Sequence, residues 1–148
     1  MKIKILTILI IAAFVAACSG NKGPKKPGAD GQMTHGGDVG NETIYFNYDK
    51  SDVKEAGRAV VERHSKHLAS HAGTRVRLEG HADERGSREY NVALGQRRSQ
   101  SVRRMMLFLG VNDGQIDLIS YGEEKPAVVG SDETAWSQNR RVEINYKR

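Results

Sequence analysis

The chain of 148 residues is poor in the features that most directly announce a function. It has one cysteine, Cys18, and a lone thiol in an exported chain needs an explanation of its own. No apolar run reaches the ~20 residues needed to cross a bilayer as a helix; the one from Ile5 to Ala17 stops well short. The nucleophile-elbow pattern G-x-S-x-G and phosphate-cradling glycine loops are both missing. His81 and Asp83 form a His-x-Asp pair, but no further His or Cys stands at supporting spacing, and His35 has no companion either. No metal or other cofactor is therefore expected. The formal charge of +5 is not gathered into a basic stripe. Lys2, Lys4, Lys22, Lys25 and Lys26 precede the folded region, and acidic residues alternate with basic ones beyond it, so no nucleic-acid partner is expected.

What remains is a composition of 38% hydrophobic and 28% charged residues, suited to one globular domain once a targeting segment and a linker are set aside. Residues 1–17 read as an export signal, with Lys2 and Lys4 before a short apolar run that ends in small residues. The Val-Ala-Ala-Cys sequence ending at Cys18 resembles the lipobox of bacterial lipoproteins. That resemblance implies a diacylglyceryl group on the Cys18 thiol, cleavage before it and acylation (palmitate or similar) of the new amino terminus. Two or three acyl chains anchor stably where one is marginal. Ser19 after the cysteine, rather than aspartate, implies sorting to the outer membrane. Residues 18–41 then hold the lipidated cysteine and a linker rich in Gly, Pro and Lys; the tether from Ser19 to about Gly40, roughly 22 residues, spans ~25 Å as a flexible coil.

Residues 42–148 carry the domain. Thr43 to Phe46 is β-branched and aromatic and reads as a strand. Ser51 or Asp52 is the expected cap of a first helix with Val53, Ala56, Val60, His64 and Leu68 inward, ending near Gly73; His64 is read as a packed core residue. Arg75 to Gly80 alternates as a half-buried strand. A second helix places Tyr90, Leu94, Val102, Met105, Met106 and Leu109 inward and stops at Gly110. Ile116 to Tyr121 and Arg140 to Tyr146 are two more strands, separated by a turn and a short helical piece that Pro126 keeps away from its own position. The fold class is α/β (α+β): a small mixed four-stranded sheet with two main helices on one face. The strand order is not legible.

The stretch EGHADERGSREYNVALGQRRSQSV, from Glu79 to Val102, concentrates polarity where packing is expected. Arg98 lies four residues after Leu94 and four before Val102, inside the apolar stripe, with Arg97 beside it. A buried guanidinium needs an acceptor, either an internal acid or a ligand carboxylate. Asp83 and Asp49 each follow a strand, and they are neighbours if those strands run alike; the plainer reading is that each caps a helix or is solvated. If Ser87 caps the second helix, Arg98 lies ~16 Å along its axis, far from Asp83 unless the turn folds back; a start at Asn91 shortens this to ~10 Å.

At these residues the sequence closely resembles the peptidoglycan-associated lipoproteins of Gram-negative bacteria, which carry an OmpA-like peptidoglycan-binding domain. YFNYDKSDV, the Glu79 to Val102 stretch, ISYGEEKPAVVG and NRRVEI carry the likeness; Asn47 and Ser99 depart from the aspartate and alanine frequent in the family. The resemblance implies a non-enzymatic grip on the diaminopimelate of the stem peptide, whose side chain ends in a carboxylate and an ammonium. Arg98 would take the carboxylate and Asp83 the ammonium. Tyr48 and Asp49 would add contacts, Leu94 would shape the wall, and Asn91 and Arg141 would hold the site together. It further implies an outer-membrane protein facing the periplasm that tethers the membrane to the wall. The periplasmic propeller and inner-membrane components of the Tol system would be its partners in envelope integrity and division. The competing readings are a wall-binding lipoprotein outside the Tol system and a lipid-anchored wall hydrolase using His81 and Asp83.

Overall fold

The computed structural model describes residues 39–147. The expected signal, residues 1–17, and nearly all of the expected tether, with Cys18, lie outside the described residues. Among the described residues no helix is long and apolar enough to cross a membrane.

Four strands form one sheet in the order β1-β4-β2-β3, with β1 at Glu42–Tyr45, β2 at Val76–His81, β3 at Ile116–Gly122 and β4 at Arg141–Tyr146. β4 is antiparallel to both β1 and β2, and β2 is parallel to β3. β1 and β2 therefore point the same way across β4, and their carboxyl ends reach the same edge of the sheet. The helices are α1 at Glu55–Ser70, α2 at Arg88–Phe108 and α3 at Glu133–Asn139, with a 3₁₀ turn at Asp113–Gln115.

Alternation assigns the faces. Ile44, Val76, Leu78, Val142 and Ile144 enter one buried cluster with Val61 and Leu68 of α1 and Val102 and Met106 of α2. The residues between them in β2 and β4, namely Arg77, Glu79, His81, Arg141 and Glu143, take the opposite face. The expected sheet with two main helices on one face is the one found, and α3 is the short helical piece after Pro126.

Three local expectations change. Helix α1 begins at Glu55 behind Lys54, with no side-chain cap, so neither Ser51 nor Asp52 caps it. Residues 50–54 lie outside any helix or strand, and the Lys50 carbonyl accepts from Arg98 Nε at 2.9 Å instead of starting a helical turn. The inward row of α1 is consequently Gly57, Val61, His64, Ser65 and Leu68, with Val60 only half-buried and Ala56 exposed; the helix ends at Ser70, short of Gly73. On α2, Tyr90 and Leu109 face outward, and the buried row includes Asn91, Gly95, Arg98 and Ser99. Helix α2 starts behind Ser87, whose hydroxyl accepts from the Tyr90 amide at 3.2 Å, so the later start at Asn91 is excluded.

The turn does fold back, and glycine is the reason. A Cβ on Gly80 of β2 would lie 2.0 Å from the Gly95 carbonyl oxygen of α2, and one on Gly95 would lie 2.3 Å from Ser120 Oγ. Bare backbones at both positions let α2 run back along β2 in direct contact. Side chains on a helix tilt toward its N-terminus, so Arg98 reaches back to the end of β2.

Candidate functional site

At the carboxyl ends of β1 and β2 lies a pocket of about 160 Å³. The loop after β1 contributes Tyr48 and Asp49, and the turn after β2 contributes Asp83, Arg85 and Gly86. Helix α2 closes it with Tyr90, Leu94 and Arg98. All five residues expected to contact the ligand, Asp83, Arg98, Tyr48, Asp49 and Leu94, are brought together here. The pocket falls below the roughly 300 Å³ of a typical small-molecule site, which fits the end of one side chain rather than a whole cofactor.

Arg98 is fully buried. Nε donates to the Lys50 carbonyl, one terminal nitrogen to the His81 carbonyl at 2.8 Å and the other to the Asn47 carbonyl at 3.1 Å. Its fixed acceptors are thus backbone oxygens from two chain segments, and among the described residues no carboxylate forms an ion pair with it. Of the two acceptors open from sequence, an internal acid is excluded. Burial pulls its pKa down to about 10, with Asp83 and Asp49 opposing the fall, so the guanidinium is still cationic at neutral pH.

Asp83 is buried as well and is held by two cations. Arg85 donates to Oδ1 from its amide (3.2 Å) and Nε (3.3 Å), and to Oδ2 from a terminal nitrogen at 2.7 Å; Arg140 donates to Oδ2 at 3.2 Å. Burial raises the Asp83 pKa, but the hydrogen bonds from Arg85 and Arg140 outweigh it and keep the carboxyl below its usual range. Arg85 is clamped between the Tyr48 ring at 4.0 Å and the Trp136 ring at 4.1 Å. Asp49 has a left-handed backbone, φ 52°, and accepts from the Tyr90 hydroxyl, which joins the loop after β1 to α2.

The supporting residues divide. Asn91 is buried beside the pocket and donates to Glu123, tying α2 to the turn after β3. Arg141 does not support the pocket as expected: it lies on the other face, paired with Glu143 at 2.6 Å and donating to the Lys125 carbonyl at 3.2 Å. Its neighbour Arg140 takes the supporting place, bridging Asp83, Glu133 at 2.5 Å and the Phe46 carbonyl at 3.2 Å. In an extended chain adjacent residues point oppositely, and the pair Arg140-Arg141 in sequence gives no sign of which faces where. Arg85 and Trp136 are also missed by sequence reasoning; the charged DER run and the lone tryptophan are each visible, but they lie far apart in the chain and nothing in the sequence joins them. His81 turns its ring toward Tyr121, with centroids 5.6 Å apart, and toward Glu143 on the open face, while Asp83 faces Arg85 and Arg140. The two side chains do not form the acid-base pair that a hydrolase would use.

Comparison with known proteins gives the family. Residues 45–140 match the OmpA family. A peptidoglycan-associated lipoprotein of Pasteurella multocida is 40% identical over 97% of this chain and 99% of its own length. One from Pseudomonas putida is 51% identical over 69% of this chain; that match spans only 61% of the relative's length. The crystal structure of the peptidoglycan-associated lipoprotein from Burkholderia pseudomallei superposes with a TM-score of 0.70 at 42% identity, covering 71% of this chain and 89% of the other. The chain belongs to the OmpA family and, within it, to the peptidoglycan-associated lipoproteins.

Proposed function

We propose that the chain is a lipid-anchored outer-membrane protein of the periplasm that grips peptidoglycan without breaking a bond in it. The diaminopimelate side chain enters the pocket, its carboxylate on Arg98 and its ammonium on Asp83. The observation that carries this reading is Arg98: a buried, permanent cation whose fixed acceptors are all neutral carbonyls, facing a pocket sized for one side-chain terminus. A guanidinium with unused N–H groups accepts a carboxylate through two parallel hydrogen bonds.

Asp83 sharpens the mechanism. An ionised carboxylate offers about four acceptor positions. Arg85 fills three and Arg140 one. Arg85, exposed over 30% of its side chain, is the cation that yields to an incoming ammonium; Arg140, at 7%, stays. Single sites are then modest in affinity, and many anchored copies on one continuous wall multiply the hold. In this reading residues 1–17 are the export signal, Cys18 is the lipidated residue and residues 18–41 the tether. The Tol-system propeller and its inner-membrane components are the protein partners.

The test is co-sedimentation of the full chain, in detergent, with sacculi containing diaminopimelate or lysine. Lysine offers the ammonium but lacks the carboxylate, so losing one charge-assisted contact of about 1.5–3 kcal/mol weakens binding roughly 10- to 150-fold. Equal binding to both walls overturns the Arg98 assignment. Release of soluble wall fragments overturns the non-enzymatic reading, and failure to capture the Tol propeller while sacculi still bind places the protein outside that system.

A further inference from the structure

The open face of the sheet, behind the pocket, holds a second polar cluster that the wall-binding reading does not use. Glu79 of β2 and Glu143 of β4 are directly paired across the antiparallel ladder, and His81 follows two residues after Glu79 on the same face. One ligand atom from each of the three lies within 4.8 Å of the others. Two carboxylates directly opposite each other on neighbouring strands repel unless a cation stands between them. Arg141 answers part of that charge through Glu143, at 2.7 and 2.6 Å, but Arg77 stands 4.0 Å from Glu79.

His81 supplies the independent sign. Its side chain is 2% exposed, yet neither ring nitrogen has a hydrogen-bond partner. The Lys125 backbone is the polar group beside the ring, and Nε2 stops 3.8 Å from Glu143 Oε1. A buried imidazole with two idle nitrogens is costly, and a coordinated ion removes the cost.

We infer that Glu79, His81 and Glu143 form a divalent-metal site of the zinc class, which clips β2 to β4 on the open face of the sheet. One imidazole and two carboxylates are a borderline N/O donor set, and water completes a four-coordinate ion. Ligands on a tetrahedral ion with bonds of ~2.1 Å sit about 3.4 Å apart, so the 3.8 Å pair is nearly in place and Glu79 closes the rest by side-chain rotation. Arg141 then acts as the outer partner that keeps Glu143 ionised and oriented. Sequence spacing searched for His and Cys companions of His81 passes over these carboxylates, because one arrives from a strand sixty-odd residues away.

The test uses the full chain in detergent, stripped with EDTA and titrated with Co²⁺, then with Zn²⁺ in competition. One Co²⁺ per chain, with visible bands of a low-coordinate ion that Zn²⁺ abolishes, and a rise in melting temperature are expected. Glu79→Gln and Glu143→Gln, each checked for folding by circular dichroism, should bind at least tenfold more weakly and lose the thermal shift. The stacked pair His67 and His71 is the competing cation site, so His67→Ala is made in parallel and should bind like wild type. No bands and no thermal shift at millimolar metal overturn the inference. So does binding that survives both glutamate variants but fails in His67→Ala.

Discussion

Replacing Arg98 with lysine keeps the charge and removes the geometry, which makes it the sharpest test of the site. The guanidinium reaches three carbonyls, two on the loop after β1 and one at the end of β2. An ammonium on a single tip can serve one of these positions well, leaving two carbonyls without their guanidinium donor, although Asn47 keeps the bond from the Lys50 amide. At about 1–2 kcal/mol each, the lower part of the usual range because the Asn47 and Lys50 carbonyls are part-buried, the loss is of order 2–4 kcal/mol, or roughly 10–20 °C in melting temperature for a domain of this size. Binding should fall further than folding explains, because lysine cannot make two parallel bonds to the ligand carboxylate. Calorimetric melting measures the first effect. Co-sedimentation with diaminopimelate sacculi, well below the variant's melting point, measures the second and should show more than a tenfold loss. A folded Arg98→Lys protein with wild-type wall binding would refute the assigned role, and an unchanged melting temperature would refute the claim that Arg98 holds the two segments together.

Three other outcomes follow from the same geometry. Gly80→Ala places a methyl group 2.0 Å from the Gly95 carbonyl, so α2 must lift off β2; a loss of about 3 kcal/mol in denaturant unfolding and loss of sacculus binding are expected. Arg85→Gln removes the cation that occupies Asp83, so a diaminopimelate peptide should bind several-fold more tightly by calorimetry; unchanged or weaker binding means Arg85 does not compete. His64 is buried, with Nδ1 2.8 Å from the Tyr146 hydroxyl, and burial lowers its pKa below 6.5 despite Glu42. Below pH 6.5 the unfolded chain takes up a proton that the folded chain refuses, so stability falls as pH falls through that window. His64→Gln should flatten this part of the stability profile, and an unaltered slope would show that the group contributes nothing there.

Periodicity made the elements legible to within a few residues, because strands alternating with helices bury one face each and say so in their spacing. It also located Arg98 as an anomaly, since a charge inside an apolar stripe is visible without any structure. The α1 boundary was not legible: Ser51 and Asp52 are good caps locally, but the Lys50 carbonyl is committed to Arg98, forty-eight residues away. Tyr90 was misplaced for a related reason, as it spends its hydroxyl on Asp49 at the rim rather than its ring in the core. Arg140 and Arg141 could not be told apart, because which of two adjacent side chains faces the pocket depends on where α3 ends and β4 begins. Long-range acceptors and strand register are tertiary facts, and these errors are of that kind.

In the proposed reading the pocket works by charge exchange rather than as an empty mould. Two acids and three arginines crowd the carboxyl ends of β1 and β2: Asp83, Asp49, Arg85, Arg98 and Arg140. Without ligand, Asp83 is neutralised by Arg85 and Arg140, while Arg98 rests on carbonyl dipoles. A zwitterionic side chain adds no net charge; on that reading it would pair with Arg98 and substitute its ammonium for Arg85. The gain therefore comes chiefly from the carboxylate end, and the ammonium end contributes only the difference between two cations on one acid. A ligand with the ammonium alone, such as the lysine of other walls, would win little against Arg85. Discrimination between the two stem peptides would thus arise from the occupied state of Asp83 as much as from a contact made by Arg98.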